Sequence, residues 1–335
     1  MSTEQGRTVA PGKQSPLDRA FALEAVRVTE AAAIAAARQI GRGDEHAADQ
    51  AAVEAMRIAF NELPISGTVR IGEGERDEAP MLFIGEEVGS GGLPVDIALD
   101  PLEGTTLTAK AMANALAVMA MAEPGTLLNA PDTYMDKIAI GGGYPEGLVD
   151  LDADPAENIL ALAKAKGVHP REITACIMDR PRHEALIAKV RACGAAVRLI
   201  TDGDVAGVIA CTDPATNIDI YLGIGGAPEG VLAAAALRCV GGQMQSRLVI
   251  RNDSERDRAH KWGIKDLKRK YSLLDMASGD VVFAATGVTD GSMLRGVHYE
   301  GEFITTESVV MRSATGTVRW IKARHVRARH LKDER

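Results

Sequence analysis

The sequence is poor in aromatic residues and in cysteine. Only 4% of its 335 residues are aromatic, which argues against the stacking surfaces that bind single-stranded nucleic acids. The four cysteines form no CxxC pair and have no zinc-like histidine spacing: Cys176, Cys193, Cys211 and Cys239. This pattern is typical of isolated core residues in a reducing compartment, and it argues against a disulfide scaffold.

Long apolar runs and an excess of basic charge are also missing. No stretch approaches the roughly 18 apolar residues of a membrane-spanning helix, and residues 1–16 lack the apolar region of a signal peptide. The net charge of −8 argues against general binding to nucleic acids or anionic membranes, but not against a phosphorylated substrate. With 46% hydrophobic and 25% charged residues, the chain is predicted to be a soluble cytoplasmic protein.

The first half of the chain predicts two helices followed by a sheet. Alanine-rich, proline-free sequence and apolar residues at helical spacing indicate the helices, and Pro101 is predicted to stop one buried strand. The strands predicted between residues 68 and 140 are expected to belong to one sheet. The predicted helices are 17–40 and about 44–63, and the predicted strands are 68–71, 95–100, 114–122 and 135–140.

Strands and helices alternate after about residue 172. The predicted strands are 173–179, 195–202 and 218–226, and the predicted helices are 183–193, 204–211 and 228–240. Such alternation is typical of a parallel α/β layer. The fold class is therefore predicted to be α/β, with an N-terminal helix pair and mixed sheet followed by a parallel α/β layer.

Acidic residues are concentrated at the ends of predicted elements in the first half: Asp49, Glu73, Glu75, Asp77, Asp100 and Glu103. Several carboxylates that converge in one cleft cannot all stay ionised without cations. Their oxygen atoms suit Mg²⁺ or Mn²⁺, whereas zinc would call for histidine or cysteine. Taken alone, Asp49 is equally explained as a first-turn aspartate that the helix dipole favours.

The segment DPLEGTT at 100–106 places a glycine and two hydroxyl groups directly after two of these acids. Gly104 permits a close backbone approach to an anion, and the hydroxyl of Thr105 can hold a water molecule. Metal ions, an anion site and a hydroxyl together indicate metal-assisted transfer of a phosphoryl group to water. The alternative is a simple turn between strands.

Polar residues follow the three predicted strands of the second half: Arg180, Arg182, Asp202, Asp204 and the turn 225–229. Ligands bind at the carboxyl ends of strands in open α/β sheets. The arginines suit a remote phosphate, and the aspartates suit sugar hydroxyls. Singly, each residue is also explained as part of a first helical turn or a plain turn.

Other enzyme classes lack their motifs. The chain contains no GxSxG, and no GxGxxG loop stands between a strand and a helix. His183 and His260 lie in polar helical contexts that are typical of surface histidines. The charged stretch 251–270 and the basic end from Arg319 are predicted to be a solvated helix and a surface strand.

These segments resemble a known family of phosphatases. DPLEGT at 100–105 is similar to the signature of the lithium-sensitive, metal-dependent sugar and inositol phosphatases. Over roughly residues 17–325, further motifs resemble the class II fructose-1,6-bisphosphatases: GRGDEHAAD at 41–49, IGEGERDEAPML at 71–82, NAPDTYM at 129–135, DRPRH at 179–183, DGDV at 202–205, GIGGAPEG at 223–230 and ATGVTDG at 285–291.

The resemblance implies a layered α/β/α/β/α fold that hydrolyses fructose 1,6-bisphosphate to fructose 6-phosphate, in gluconeogenesis or the Calvin cycle. The chain is predicted to divide into a metal-binding domain over 17–172 and a sugar-binding domain over 173–325, with a disordered tail at 1–16, which is not part of the resemblance, and a tail at 326–335. The resemblance also implies a homo-oligomer, dimeric or tetrameric. Its partner is a small sugar bisphosphate, with no nucleic acid and no membrane.

The resemblance also assigns roles to residues. Two Mg²⁺ or Mn²⁺ ions are implied, one bound by Asp49 and Glu73 and the other by Asp100, Glu103 and Glu229. Thr105 would position or activate the attacking water, supported by Glu75 and Asp77. The implied substrate-binding residues are Glu103, Gly104, Thr105, Tyr134, Arg180, Pro181, Arg182, Asp202, Gly203, Asp204 and Gly226. Arg180 departs from the common lysine, which keeps the charge but changes the hydrogen-bond geometry.

Three alternatives stay open at this point. A bifunctional enzyme could also accept sedoheptulose 1,7-bisphosphate, because pocket size discriminates poorly against one extra hydroxymethylene unit. An activity like that of inositol monophosphatase fits less well with a pair of arginines, which suggests a second phosphate. A catalytically silent sugar-phosphate sensor would bind its ligand without metal-dependent turnover.

Overall fold

The computed structural model describes residues 17, 19–74 and 81–330, and these residues form two sheets with helices between and outside them. The helices are α1 (Arg19–Ala37), α2 (Glu45–Asn61), α3 (Thr105–Ala109), α4 (Pro155–Lys166), α5 (Glu184–Ala192), α6 (Asp204–Ala210), α7 (Ala227–Val240), α8 (Asp253–Lys261), α9 (Leu273–Met276) and α10 (Arg327–His330). Short 3₁₀ turns occupy Pro170–Glu172, Pro181–His183, Pro214–Thr216 and Ser313–Thr315.

The strands follow one another along the chain as β1 (Ile65–Ile71), β2 (Glu87–Val88), β3 (Leu93–Glu103), β4 (Leu116–Ala122), β5 (Tyr134–Ile140), β6 (Thr174–Met178), β7 (Ala196–Ile200), β8 (Ile220–Gly226), β9 (Gln243–Val249), β10 (Tyr271–Ser272), β11 (Val281–Gly287), β12 (His298–Glu300), β13 (Phe303–Arg312) and β14 (Thr317–Val326). The first sheet has the order β12–β13–β11–β4–β3–β1–β2, with β14 paired to β13. The second has the order β10–β9–β5–β8–β6–β7.

The hydrophobic core shows that helices and sheets alternate in five layers. α1 and α2 pack on one face of the first sheet, and α7 packs against its other face. α7 is buried along nearly its whole length because it also packs against the second sheet. α4 and α5 share a third cluster with strands of the second sheet. The predicted α/β class with α/β/α/β/α layers is thus confirmed.

One predicted strand belongs to a different sheet from the one predicted. Residues 135–140 form a strand as predicted, but β5 pairs antiparallel with β8 and β9 in the second sheet. In that sheet β6 pairs in parallel with β7 and β8, as the alternation of strands and helices predicts. A buried apolar run indicates a strand but carries no information about its neighbours, so sequence order was a poor guide here.

β3 also differs from its prediction, because it continues through Pro101 to Glu103. Asp100 pairs with Val118 and Glu103 pairs with Leu116, so β3 contains one residue more than β4 between these pairs. An extra residue of this kind is a β-bulge, which locally breaks the alternation of side chains. The bulge brings Asp100 and Glu103 to the same cavity, although residues three apart in a regular strand face opposite sides.

The two sheets exchange segments across residue 172. β5 lies before that residue and joins the second sheet, whereas β11–β14 lie after it and join the first. The division into two domains at this position stays a prediction. Within the described ranges, no helix is both long and apolar enough to cross a membrane.

Candidate active site

A cavity of about 300 Å³ lies where β1, β3 and the first turn of α7 meet. Its acidic lining comprises Asp49, Glu73, Asp100, Glu103, Asp132, Asp202, Asp204 and Glu229. The five residues predicted to bind metal are therefore brought together from helices and strands that are far apart in sequence. The alternative for Asp49, a helix-dipole aspartate, does not by itself explain why it lies in this cluster.

The carboxylates destabilise one another's charge. Burial, reinforced by the charges of Asp49 and Glu229, raises the pKa of Glu73 to about 8. Burial raises the pKa of Asp100 and of Glu103 well above the usual range for carboxylic acids, and nearby acids add to both effects. Burial and the charge of Asp204 raise the pKa of Glu229 to about 7. Only nearby positive charge would keep the whole cluster ionised at neutral pH.

Two buried oxygen atoms in this cluster have no hydrogen-bond partner among the described residues: Oε2 of Glu103 and Oε2 of Glu229. The other oxygen of Glu103 accepts a hydrogen bond from the backbone N–H of Val205 at 2.8 Å. Asp100 is held by the N–H of Leu102 at 3.0 Å. An unpaired buried carboxylate oxygen is costly, so a cation that binds it would remove an energetic penalty.

The donor set fits Mg²⁺ or Mn²⁺, because every candidate ligand is a carboxylate oxygen. Among the described residues, no group of three or more His, Cys, Asp or Glu side chains stands so that it could hold a metal ion without rearrangement. A bound cation would therefore have to draw the carboxylates closer together than they stand.

Gly104 and Thr105 lie on the wall of the same cavity. Gly104 has φ +94°, and the short helix α3 begins at Thr105 without a side-chain cap. This left-handed conformation favours glycine by itself, and a Cβ here would in addition lie 2.8 Å from the side chain of Leu107. The segment 100–106 is thus a bulged strand end followed by a helix start, rather than a simple turn.

A second cavity of about 330 Å³ adjoins the first. The two cavities share Asp132, Asp202, Asp204 and Glu229, so they form one continuous cleft. The second cavity adds four arginines and one tyrosine: Tyr134, Arg180, Arg182, Arg251 and Arg258. The cleft therefore has an acidic end and a basic end, and its basic end suits an anionic group such as phosphate.

The arginines at the basic end are already oriented by the protein. Arg182 donates from Nε and Nη2 to the carbonyl oxygen of Ile224, at 3.1 and 2.7 Å. The guanidinium groups of Arg182 and Arg251 lie 4.8 and 4.2 Å from the ring centre of Tyr134. These contacts reduce the number of side-chain conformations that a ligand would have to select.

The prediction of a surface position for His183 is wrong. His183 is 1% exposed, and its ring lies between Met178 and Ile224. Its Nε2 accepts from the N–H of Ile224 at 2.8 Å, so Nδ1 carries the proton and donates to the carbonyl of Met178 at 2.7 Å. Burial lowers the pKa of this imidazole. Arg182, the preceding residue, donates to the carbonyl oxygen of the same Ile224. Both side chains therefore hold the backbone of Ile224 and have a structural role.

The structure places most of the predicted substrate residues in the cleft. Gly203 lines the first cavity and Gly226 the second, whereas Pro181 lines neither. Glu75 and Asp77 lie outside the described residues. Asp132, Arg251 and Arg258 also line the cleft but were not predicted as site residues. Asp132 lies inside the motif at 129–135, and Arg251 follows the end of β9, the same strand-end signal that pointed to Arg180.

An acidic cavity with unpaired carboxylate oxygens that opens into an arginine-lined cavity defines, as a class, an enzyme for phosphate esters. A profile of the family described as "Bacterial fructose-1,6-bisphosphatase, glpX-encoded" matches residues 19–325. The chain belongs to this family.

Curated relatives agree with this assignment. The chain is 46% identical over 321 residues to "Fructose-1,6-bisphosphatase 1 class 2" of Escherichia coli (strain K12), covering 92% of this chain and 95% of the relative. The same identity and coverage hold for "Fructose-1,6-bisphosphatase class 2" of Escherichia coli O6:H1 and of Shigella flexneri.

Proposed function

We propose that this chain hydrolyses the 1-phosphate of fructose 1,6-bisphosphate with the help of divalent cations, releasing fructose 6-phosphate and inorganic phosphate. The observation that carries the proposal is the pair of unpaired, buried oxygens of Glu103 and Glu229 in a cavity that joins an arginine-rich one. The family and its named relatives support the choice of substrate.

Asp49 and Glu73 are proposed to hold one Mg²⁺ or Mn²⁺ ion, and Asp100, Glu103 and Glu229 are proposed to hold a second. When bound, such cations stabilise charge on the phosphate and lower the pKa of a water molecule. Their positive charge would also keep the surrounding carboxylates ionised, which removes the mutual repulsion that raises their pKa values.

The chain's own groups are proposed to orient the reactants. The hydroxyl of Thr105 accepts from or donates to the attacking water, and Gly104 leaves room for the phosphate near the backbone. Asp202, Gly203 and Asp204 bind sugar hydroxyls, while Tyr134, Arg180 and Arg182 bind the remote phosphate. Glu75 and Asp77 are proposed to support the site from outside the described ranges.

The test is a phosphate-release assay with Mg²⁺ or Mn²⁺ and with fructose 1,6-bisphosphate, sedoheptulose 1,7-bisphosphate or inositol phosphate. We expect cation-dependent release from fructose 1,6-bisphosphate that chelation abolishes and that Glu73→Gln nearly abolishes. Glu87→Gln is the matched control, because Glu87 is an exposed glutamate on β2 away from the cleft. Turnover that is unaffected by both chelation and Glu73→Gln would contradict the proposal.

A further inference from the structure

Lys137 is a lysine in the middle of β5 whose side chain is completely buried. The residues that follow it in the strand, Ile138, Ala139 and Ile140, are apolar and buried, so a lysine at this position departs from the composition of the core. A buried ammonium group is strongly unfavourable unless it is paired and hydrogen-bonded. The contacts of Lys137 therefore indicate what its charge is used for.

Both polar contacts of Lys137 lead to the cleft. Its Nζ donates to Oδ2 of Asp204 at 2.5 Å and to the carbonyl oxygen of Gly226 at 2.7 Å. The hydroxyl of Tyr221 also donates to Oδ2 of Asp204, at 3.5 Å. None of the described residues donates a hydrogen bond to Oδ1, the other oxygen of Asp204.

Two glycines make room for this arrangement. A Cβ on Gly225 would lie 2.0 Å from Oδ2 of Asp204 and 3.0 Å from Nζ of Lys137. A Cβ on Gly230 would lie 2.6 Å from the sulfur of Met135 and 3.6 Å from Cε of Lys137. The lysine thus reaches its partners through a passage that side chains at these two positions would close.

The position of Asp204 gives this pair its significance. Asp204 is only 5% exposed and lines both the acidic and the arginine-rich cavity, at the point where they join. Because Lys137 occupies Oδ2, the orientation of the carboxylate is fixed and Oδ1 stays available as an acceptor. The second contact fixes the carbonyl of Gly226, which directly precedes the helix that carries Glu229.

We propose that Lys137 is a positioning residue, which holds the carboxylate of Asp204 in the orientation that accepts a hydrogen bond from a hydroxyl group of the sugar. This inference rests on the proposed function, since it specifies how the sugar between the two phosphates is bound. Lys137 does not touch the substrate and acts through Asp204. Its loss should therefore raise KM for the sugar bisphosphate in the way that loss of the Asp204 charge does.

The test is a double-mutant cycle with Lys137→Met, Asp204→Asn and the double variant, each assayed with fructose 1,6-bisphosphate and Mg²⁺. We expect each single substitution to raise KM by roughly 10- to 100-fold, the usual effect of losing a hydrogen bond to a charged group. The double variant should have nearly the same KM as Asp204→Asn alone, because Lys137 is proposed to act on the sugar through Asp204. Lys166→Met is the matched control, since Lys166 pairs with Asp219 at 2.5 Å away from the cleft; we expect its KM to stay unchanged.

A purely structural lysine would give a different pattern. It would lower the active fraction, and hence the apparent kcat, without raising KM. A KM within about twofold of the wild-type value in Lys137→Met, or KM increases that multiply in the double variant, would overturn the proposal. If Lys137→Met fails to fold because it leaves Asp204 buried and unpaired, the double variant, in which neither buried charge is left, is compared with Asp204→Asn, in which Lys137 has lost its carboxylate partner.

The failure of this inference differs from a failure of the proposed function. If the wild-type protein releases no phosphate from fructose 1,6-bisphosphate, the proposed function fails. If the wild-type protein is active and Lys137→Met has the same KM, only the role of Lys137 is refuted. Thermal unfolding of each variant, measured without substrate or cation, separates effects on folding from effects on binding.

Discussion

Thr105 is the first residue of α3. Among the described residues that line the acidic cavity, it is the one that carries a hydroxyl group. It directly follows Glu103 and Gly104, so it lies beside the carboxylate cluster on the cavity wall. A hydroxyl there can orient a water molecule for attack, whereas a methyl group cannot. The contribution of such a group lies in the transition state, so it should affect kcat more than KM.

Thr105→Ala is expected to lower kcat by roughly 10²- to 10³-fold, the usual effect of removing one well-placed polar group from an active site. Thr105→Ser retains the hydroxyl and should recover most of this loss. Thr106→Ala serves as a control, because Thr106 is the next residue of α3 but does not line the cavity. Equal kcat values for Thr105→Ala and the wild-type enzyme would exclude a role in orienting water.

At the scale of residues, the sequence predicted the acidic half of the cleft better than the basic half. Asp100, Glu103 and Glu229 were identified from motifs, and the structure brings them together. Arg251 was assigned to a solvated stretch because the chain is acidic overall, and its side chain is half exposed, but it also stacks on Tyr134 in the cleft. Lys137 was overlooked, although a lysine inside a buried strand pattern is itself a signal, since such a group needs a partner.

The junction of β8 and α7 is the element on which the geometry of the cleft depends most closely. Gly226 is the last residue of β8 and has φ −66°, a backbone conformation that any residue can adopt. Glycine is needed here because there is no space for a side chain. A Cβ there would lie 1.9 Å from Oε2 of Glu229. Any larger residue must displace the carboxylate that is proposed to bind a cation.

Gly226→Ala is therefore expected to reduce phosphate release by roughly 10²-fold, because a displacement of about 1 Å in an active site has effects of this size. Its folding should be little affected, since alanine suits both the backbone conformation and a helix start. Gly167→Ala provides the opposite case: Gly167 has φ +73° with open space around it, so alanine should cost about 1 kcal/mol of stability and no activity. Assays of turnover and of thermal unfolding on both variants check this; a fully active Gly226→Ala enzyme would refute the argument.

At the scale of elements, local patterns located the helices and strands but not all of their connections. The two N-terminal helices and the alternation after residue 172 follow from apolar spacing and from glycine or proline stops, which are local signals. The bulge in β3 depends on how that strand pairs with β4, and the sheet of β5 depends on β8 and β9. Pairing is non-local, and one sequence contains no direct record of it.

At the scale of the whole molecule, the acidic cluster should make stability depend on both pH and cations. Glu73 and Glu229 have pKa values of about 8 and about 7 in the folded protein, above the ordinary value of 4.5. Above about pH 4.5 these groups keep a proton in the folded state but lose it on unfolding, up to about pH 7 for Glu229 and about pH 8 for Glu73. The folded state therefore binds more protons, and the stability of the cation-free protein falls as the pH rises through this window.

In the presence of a chelator, Tm should decrease as the pH rises from about 5 to about 8, and Glu73→Gln should reduce this slope. Mg²⁺ or Mn²⁺ should raise Tm most at the high end of the window, because cations bind the deprotonated carboxylates of the folded state. Differential scanning calorimetry at several pH values measures both effects. A Tm that rises with pH in the absence of cations would contradict the assignment of raised pKa values to these acids.

The exchange of segments between the sheets has a consequence for the order in which the protein can form. β4 pairs with β11 along its whole length, yet the entire second sheet lies between these two strands in the chain. During synthesis, the first half emerges with one side of β4 unpaired and with its apolar residues uncovered. The first sheet closes only after β11 to β14 have left the ribosome, so nascent chains should depend on protection from aggregation until synthesis is almost complete.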